Sequence, residues 1–271
     1  MPIRNVTLYF TEFSGRFDKY YDDGFKWDSE RGYKTLTLLK SKQLYFVRHT
    51  ESQYQVIRDA KEWSEVRHME QLQDPSLTTV GVMQAAGVGH DMAQEHIRPD
   101  LIVSSPLTRC LQTAALAFPD VFLSNREDCT LQMCSLLPEK VDSYGDCERR
   151  IATVIEEKPE LYLFEHTMSQ SCYQKKNQDD KLDQIYSPRW ELATDDKNEF
   201  PFPSESKESA RKRVALFWRW LAERPEQVIA VVTHSKLVKK HYQICMLGNS
   251  VEEFHNGDCI HVVFDAYGFS N

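Results

Sequence analysis

The chain has 271 residues, 41% of them hydrophobic, with 41 acidic against 33 basic side chains and a net charge of −8. That is enough apolar material for one large α/β domain, and the acidic balance argues against nucleic-acid or anionic-membrane binding, which need a positive surface. No apolar run approaches the ~20 residues of a membrane span, and the seven scattered cysteines form no C-x-x-C pair, which reads as reduced thiols in the cytoplasm.

Residues 1–34 carry many aromatics, among them Phe10, Phe13, Phe17, Tyr20, Tyr21, Phe25 and Trp27, and no apolar signal-peptide core. They read as an N-terminal extension packed on the core; a partner-binding arm or a homodimer contact is the other use of such side chains. Leu44-Tyr45-Phe46-Val47 is apolar without alternation, which predicts a strand buried on both faces. Polar residues 52–76 follow, with Trp63 as an anchor. Thr78 or Thr79 can cap a helix running to about His96, with Val82, Ala85, Ala86 and Met92 on its apolar stripe and Gly87 and Gly89 weakening it.

Asp100 to Ser105 is the second strand. Ser105 is a suitable N-cap and Pro106 a suitable first residue for a helix that holds Arg109 in its first turn. The helix dipole disfavours a cation there, so the position predicts an anion at the same end. A short strand is expected near Thr130 to Met133. Residues 140–203 read as an irregular insertion or lid, with a helix at 145–157 followed by a stretch containing Pro159, Pro188, Pro201 and Pro203. Ser204 to Arg224 is an amphipathic helix with Ala210, Val214, Phe217, Trp218 and Leu221 on one face. A strand at Val228 to Val232, a helix from Ser235 to Leu247 and a strand at Cys259 to Phe264 complete the chain. Together these predict a single domain over 1–271: a three-layer, doubly wound, mostly parallel sheet with helices on both faces.

Three strand ends carry the chemistry. Val47 is followed by Arg48-His49, Ser105 by Pro106-Leu107-Thr108-Arg109, and Thr233 by His234. In an open parallel sheet, ligands bind outside the carboxyl ends of the strands. Two imidazoles and two guanidinium groups at that edge suit a phosphate dianion. No P-loop or Rossmann glycine pattern is present, and the remaining histidines show no metal-ligand spacing.

These segments resemble a known family. Arg48-His49-Thr50-Glu51 is similar to the Arg-His-Gly-Glu signature of the histidine phosphatase (phosphoglycerate-mutase-like) superfamily. Ser104-Ser105-Pro106-Leu107-Thr108-Arg109-Cys110-Leu111-Gln112-Thr113-Ala114 resembles its second motif, Val232-Thr233-His234-Ser235 its third, and Leu77-Thr78-Thr79-Val80-Gly81 the segment between the first two. Cys147-Glu148-Arg149-Arg150 resembles a stretch found in a eukaryotic phosphatase branch. The resemblance implies a phosphomonoesterase working without metal or cofactor through a phosphohistidine on His49. Arg48, Arg109 and His234 would bind the phosphoryl group, and Glu139 would be the proton donor, with Asp142 and Asp146 as alternatives. A mutase, or a weakly active phosphate-binding scaffold, are the other readings. Thr50, Gln55 and Lys236 depart from the family pattern and, with Arg149, are candidate substrate contacts. The expected partner is a small phosphorylated substrate, with a phosphopeptide also open.

Overall fold

The computed structural model describes residues 4–7, 36–123, 128–147, 157, 205–238 and 254–269. Six strands form one mixed sheet: β1 (Arg4–Thr7), β2 (Leu36–Arg48), β3 (Leu101–Ser104), β4 (Thr130–Met133), β5 (Val228–Thr233) and β6 (Cys259–Phe269). Their spatial order is β1-β6-β2-β5-β3-β4. Every neighbouring pair is parallel except β2 and β6, which form a long antiparallel ribbon. The central β2, β5 and β3 are the three strands whose ends lead into Arg48-His49, His234 and the Arg109 segment, and β3 and β5 are buried almost throughout.

Alternation along those strands divides the core in two. Leu44, Phe46, Leu101, Val103, Ile229 and Val231 face one layer, where Val214, Phe217, Trp218 and Leu221 of the helix Lys207–Glu223 meet them. Val47, Ile102, Ala230 and Val232 face the other, against Val88 and Met92 of the helix Thr79–Gln94 and Leu111 and Ala114 of the helix Thr108–Ala117. This is the three-layer arrangement expected, with helices on both faces.

Several boundaries differ from expectation. Arg4–Thr7, inside the segment read as an extension, is an edge strand parallel to β6. The stretch 52–76 contains two short helices, Gln53–Ala60 and Trp63–Val66. Val66, Leu72 and Tyr54 are its buried anchors, while Trp63 is exposed. Thr78 does cap its helix, its hydroxyl accepting from the Gly81 N–H at 3.0 Å. The buried stripe of that helix is Gly81, Ala85, Val88 and Met92, and Val82 faces solvent. Glycine explains the shift: a Cβ on Gly81 would lie 2.0 Å from the Glu51 carbonyl oxygen, and one on Gly89 2.4 Å from that of Ala117. These positions are chosen for close backbone approach, which hydropathy does not register. Ser206 caps the long helix through the Ser209 N–H at 3.0 Å. Residues 235–238 are helical, as expected at the start of the 235–247 helix. The rest of that helix, most of the 145–157 helix and residues 158–203 lie outside the described residues.

The helix that carries Arg109 begins at Thr108, with Leu107 rather than Ser105 as its N-cap. Leucine offers no acceptor, and the cap comes from a distance: the Asp74 carboxylate accepts from the Thr108 N–H and hydroxyl, both at 2.7 Å. Asp74 itself sits at φ 46, a conformation that Asp, Asn and Gly accept best. Asp74→Ala should therefore destabilise the protein by about 2–3 kcal/mol, while Asp74→Asn, which keeps an acceptor, should lose less than half of that. Denaturant midpoints of the two variants check this; equal losses would contradict the cap.

Candidate active site

The pairing of β2 with β5 aligns Arg48 with Thr233. One residue further on, the His49 N–H donates to the Thr233 carbonyl at 2.9 Å, so His49 and His234 leave the sheet side by side. Their ring centroids are 5.1 Å apart with planes at 60°. The Ser105 N–H bonds the Val232 carbonyl at 2.9 Å, which adds the end of β3 to the same edge.

His49 is buried, and its Nδ1 lies 2.8 Å from the Thr50 carbonyl oxygen. A carbonyl only accepts, so the proton sits on Nδ1 and the Nε2 lone pair is free to attack. Burial, followed by the neighbouring Arg109 and Arg48 charges, holds this imidazole neutral well below the usual histidine range. Thr50 serves through that carbonyl. Its side chain turns the other way, with its hydroxyl 3.2 Å from the Thr113 hydroxyl, and it does not line the cleft described below.

Arg109 is 2% exposed, its two terminal nitrogens bonded to the Gly145 carbonyl at 2.6 Å and the Asp146 carboxylate at 3.2 Å. The anion predicted near this helix end is thus met by two of the protein's own carboxylates, Asp74 and Asp146. Arg109 also approaches His234 Nδ1 at 3.3 Å. Arginine only donates, so Nδ1 accepts and the His234 proton is on Nε2, pointing at the Ser105 hydroxyl 3.0 Å away. The Ser105 hydroxyl also accepts from the Leu107 N–H at 3.4 Å, just ahead of the helix that begins at Thr108. His234 is fully buried and stands behind the cleft rather than on its surface. Burial, then Arg109 and His49, also depress its pKa well below the usual range. Arg48 donates to the Phe254 carbonyl, and its Nε is buried with no partner among the described residues.

The cleft has a volume of ≈ 40 Å³, room for a few waters or one phosphoryl group. Arg48, His49 and Arg109 line it together with Glu139, Asp146, Gln55 and Lys236. Glu139 is buried, with one carboxylate oxygen accepting from the Lys140 N–H at 2.9 Å. Gln55 spends its carbonyl on the Ser52 N–H at 2.8 Å, closing a capping box, and pairs its amide with Asn256. Lys236 reaches Asp142 at 2.9 Å over the Trp63 ring. Burial opposes its charge, but Glu139, Asp142 and Asp146 raise its pKa. Arg149 lies outside the described residues. Tyr54, Arg58, Trp63 and Ser235 complete the wall and were not anticipated. The Ser52-x-x-Gln55 capping box would have placed Tyr54 and Arg58 four apart on one helix face. Among the described residues no group of His, Cys, Asp or Glu could hold a metal ion, and no helix is long and apolar enough to cross a membrane.

The two depressed imidazoles link stability to pH. Each stays neutral in the fold while its unfolded counterpart protonates near pH 6.5, so each contributes stability above that pH and loses it as pH falls. Asp146, which burial raises to about 7, works in the opposite sense over the same window. Stability should fall between pH 6.5 and 5, and His234→Gln should remove roughly 1.4 kcal/mol per pH unit of that fall. Denaturation at each pH measures it; an unchanged slope in the variant would contradict a neutral His234.

A profile of the histidine phosphatase superfamily (branch 1) matches residues 44–171. The structure is similar to that of a phosphoglycerate mutase from Bacillus anthracis str. Sterne, with 16% identity and a TM-score of 0.53, covering 85% of this chain and 92% of that one. A mycobacterial glucosyl-3-phosphoglycerate phosphatase bound to VO3 matches at 18% identity and a TM-score of 0.45, over 80% of this chain and 90% of that one. A putative alpha-ribazole-5'-P phosphatase from Escherichia coli K-12 matches at 22% identity and 0.42, over 74% and 77%. No curated protein matches the chain in sequence. Sheet, strand-end motifs and matched segment agree: residues 44–171 carry the pattern of the histidine phosphatase superfamily (branch 1), on a fold like that of the Bacillus anthracis phosphoglycerate mutase.

Proposed function

We propose that this protein is a cytoplasmic phosphatase that hydrolyses a phosphomonoester, without metal or cofactor, through a phosphohistidine on His49. The observation that carries this reading is a buried neutral imidazole, tautomer fixed by Thr50, beside two arginines in a cleft of phosphoryl size. His49 Nε2 attacks phosphorus as the ester P–O bond breaks, and Glu139 gives its proton to the leaving alkoxide. Water then attacks phosphorus, the P–N bond breaks, and Glu139 recovers a proton from that water. Arg48 and Arg109 hold the equatorial oxygens, where charge accumulates. His234 supports them from behind, through Arg109 and through its Nε2 proton. Lys236 and Gln55 on the rim are the proposed substrate contacts.

Rapid quench with a labelled phosphate ester tests this. Wild-type protein should yield an acid-labile, alkali-stable label; a label that persists in His49→Ala would overturn the assignment.

A further inference from the structure

On that reading of the cleft, Asp146 has no task in the proposed reaction, yet it sits against one of the phosphoryl-binding arginines. Asp146 and Arg109 form an ion pair buried to 5% and 3% side-chain exposure, with Oδ1 3.2 Å from the guanidinium. Oδ2 accepts from the Ser143 hydroxyl at 2.7 Å. Both residues of the pair line the cleft, together with Glu139. A dianion held by Arg109 would therefore face the Asp146 carboxylate directly, with Glu139, the acid of the proposed reaction, beside it in a small, poorly solvated volume. Like charges so placed cannot all remain ionised without a large cost. We propose that Asp146 is a proton-linked counter-ion of Arg109: when a tetrahedral dianion takes over the guanidinium, Asp146 accepts one proton from solvent, so anion binding and protonation are a single event.

The surroundings favour Asp146 over the other groups as the proton's destination. Its neighbours are Arg109 from the 108–117 helix, Glu139 and Asp142 from the loop after β4, Lys236 after β5, and Tyr54 and Arg58 from the 53–60 helix. Arg109 and Lys236 oppose protonation; Glu139, Asp142 and burial promote it, and together they leave Asp146 near pH 7 before any anion arrives. His49 and His234 are disfavoured acceptors because burial, and then the Arg109 and Arg48 charges, oppose their protonation. Arg109 keeps its place through the Gly145 carbonyl at 2.6 Å whichever anion it faces, so the exchange needs no large movement. In this role Asp146 is a positioning residue that tunes Arg109.

Titration calorimetry with sulfate, a dianion across the relevant pH range, tests the coupling. Heats measured at pH 8 in buffers of different ionisation enthalpy give the protons taken up per ion. Wild type should take up close to one, and its sulfate affinity should weaken by about tenfold per pH unit above pH 7. Asp146→Asn should bind sulfate with near-zero uptake and a flat pH dependence, whereas Glu139→Gln should retain the uptake. No uptake in wild type, persistent uptake in Asp146→Asn, or loss of uptake in Glu139→Gln each overturns the proposal. Sulfate is not hydrolysed, so these outcomes are independent of the phosphoenzyme experiment, which alone decides the phosphatase reading.

Discussion

His49→Ala is expected to lower kcat on the order of 10⁴-fold or more while leaving sulfate or phosphate binding within a few-fold of wild type. The separation follows from the division of labour in the cleft. Arg48 and Arg109 supply the charge that holds the anion, and neither relies on the His49 ring for its position: Arg109 is fixed by Gly145 and Asp146, Arg48 by the Phe254 carbonyl. What alanine removes is the lone pair that splits one difficult displacement into two easier ones. Loss of turnover with retained binding identifies a nucleophile. Parallel loss of both would assign His49 to binding, and retained turnover would remove it from the chemistry.

Arg213→Ala should be the most damaging substitution outside the cleft, costing about 3–5 kcal/mol. Arg213 and Glu205 form a two-pronged ion pair at 2.7 and 2.6 Å, with side chains only 5% and 2% exposed. The remaining guanidinium nitrogen donates to the Leu136 and Pro138 carbonyls, each at 2.9 Å. The Glu205 N–H bonds Val141 and the Thr233 hydroxyl bonds Leu137, so the loop presenting Glu139 is pinned from both sides. Alanine leaves Glu205 buried without its cation and two carbonyls without donors. The thermal midpoint should fall by roughly 6–20 °C for a domain of this size. Replacing the pair together, as Arg213→Met with Glu205→Leu, should recover the charge penalty but not the loop. Turnover of alkyl phosphates, which need a proton from Glu139, should then suffer far more than that of para-nitrophenyl phosphate. Equal losses on both esters would separate Arg213 from Glu139.

The parts of this protein that were legible in its sequence are those in which local pattern and tertiary role coincide. β2, β3 and β5 were recognisable because strands covered on both faces lose their alternation, and Arg48, His49 and Arg109 stood out because they lie at or shortly after the ends of two of those strands. What escaped depends on distance along the chain. Asp74 caps a helix that begins 34 residues later, and Asp146 pairs with an arginine 37 residues earlier. No local window contains either relation. Ser105 reads as a cap, but the helix starts three residues later, and the Ser105 hydroxyl lies 3.0 Å from a histidine 129 residues further along the chain. Arg4–Thr7 is a four-residue edge strand with only one aliphatic side chain, too short to rise above its surroundings.

The alignment of Arg48 with Thr233 also ties the fate of the imidazole pair to that of the sheet interior. Sliding either strand by a single position would turn its inward and outward faces over, pushing Phe46 or Val231 into the wrong layer. No half-slipped form can keep His49 beside His234 and preserve the packing at once. Separating the two imidazoles by heat therefore requires melting of the central strands, not the loosening of a peripheral loop.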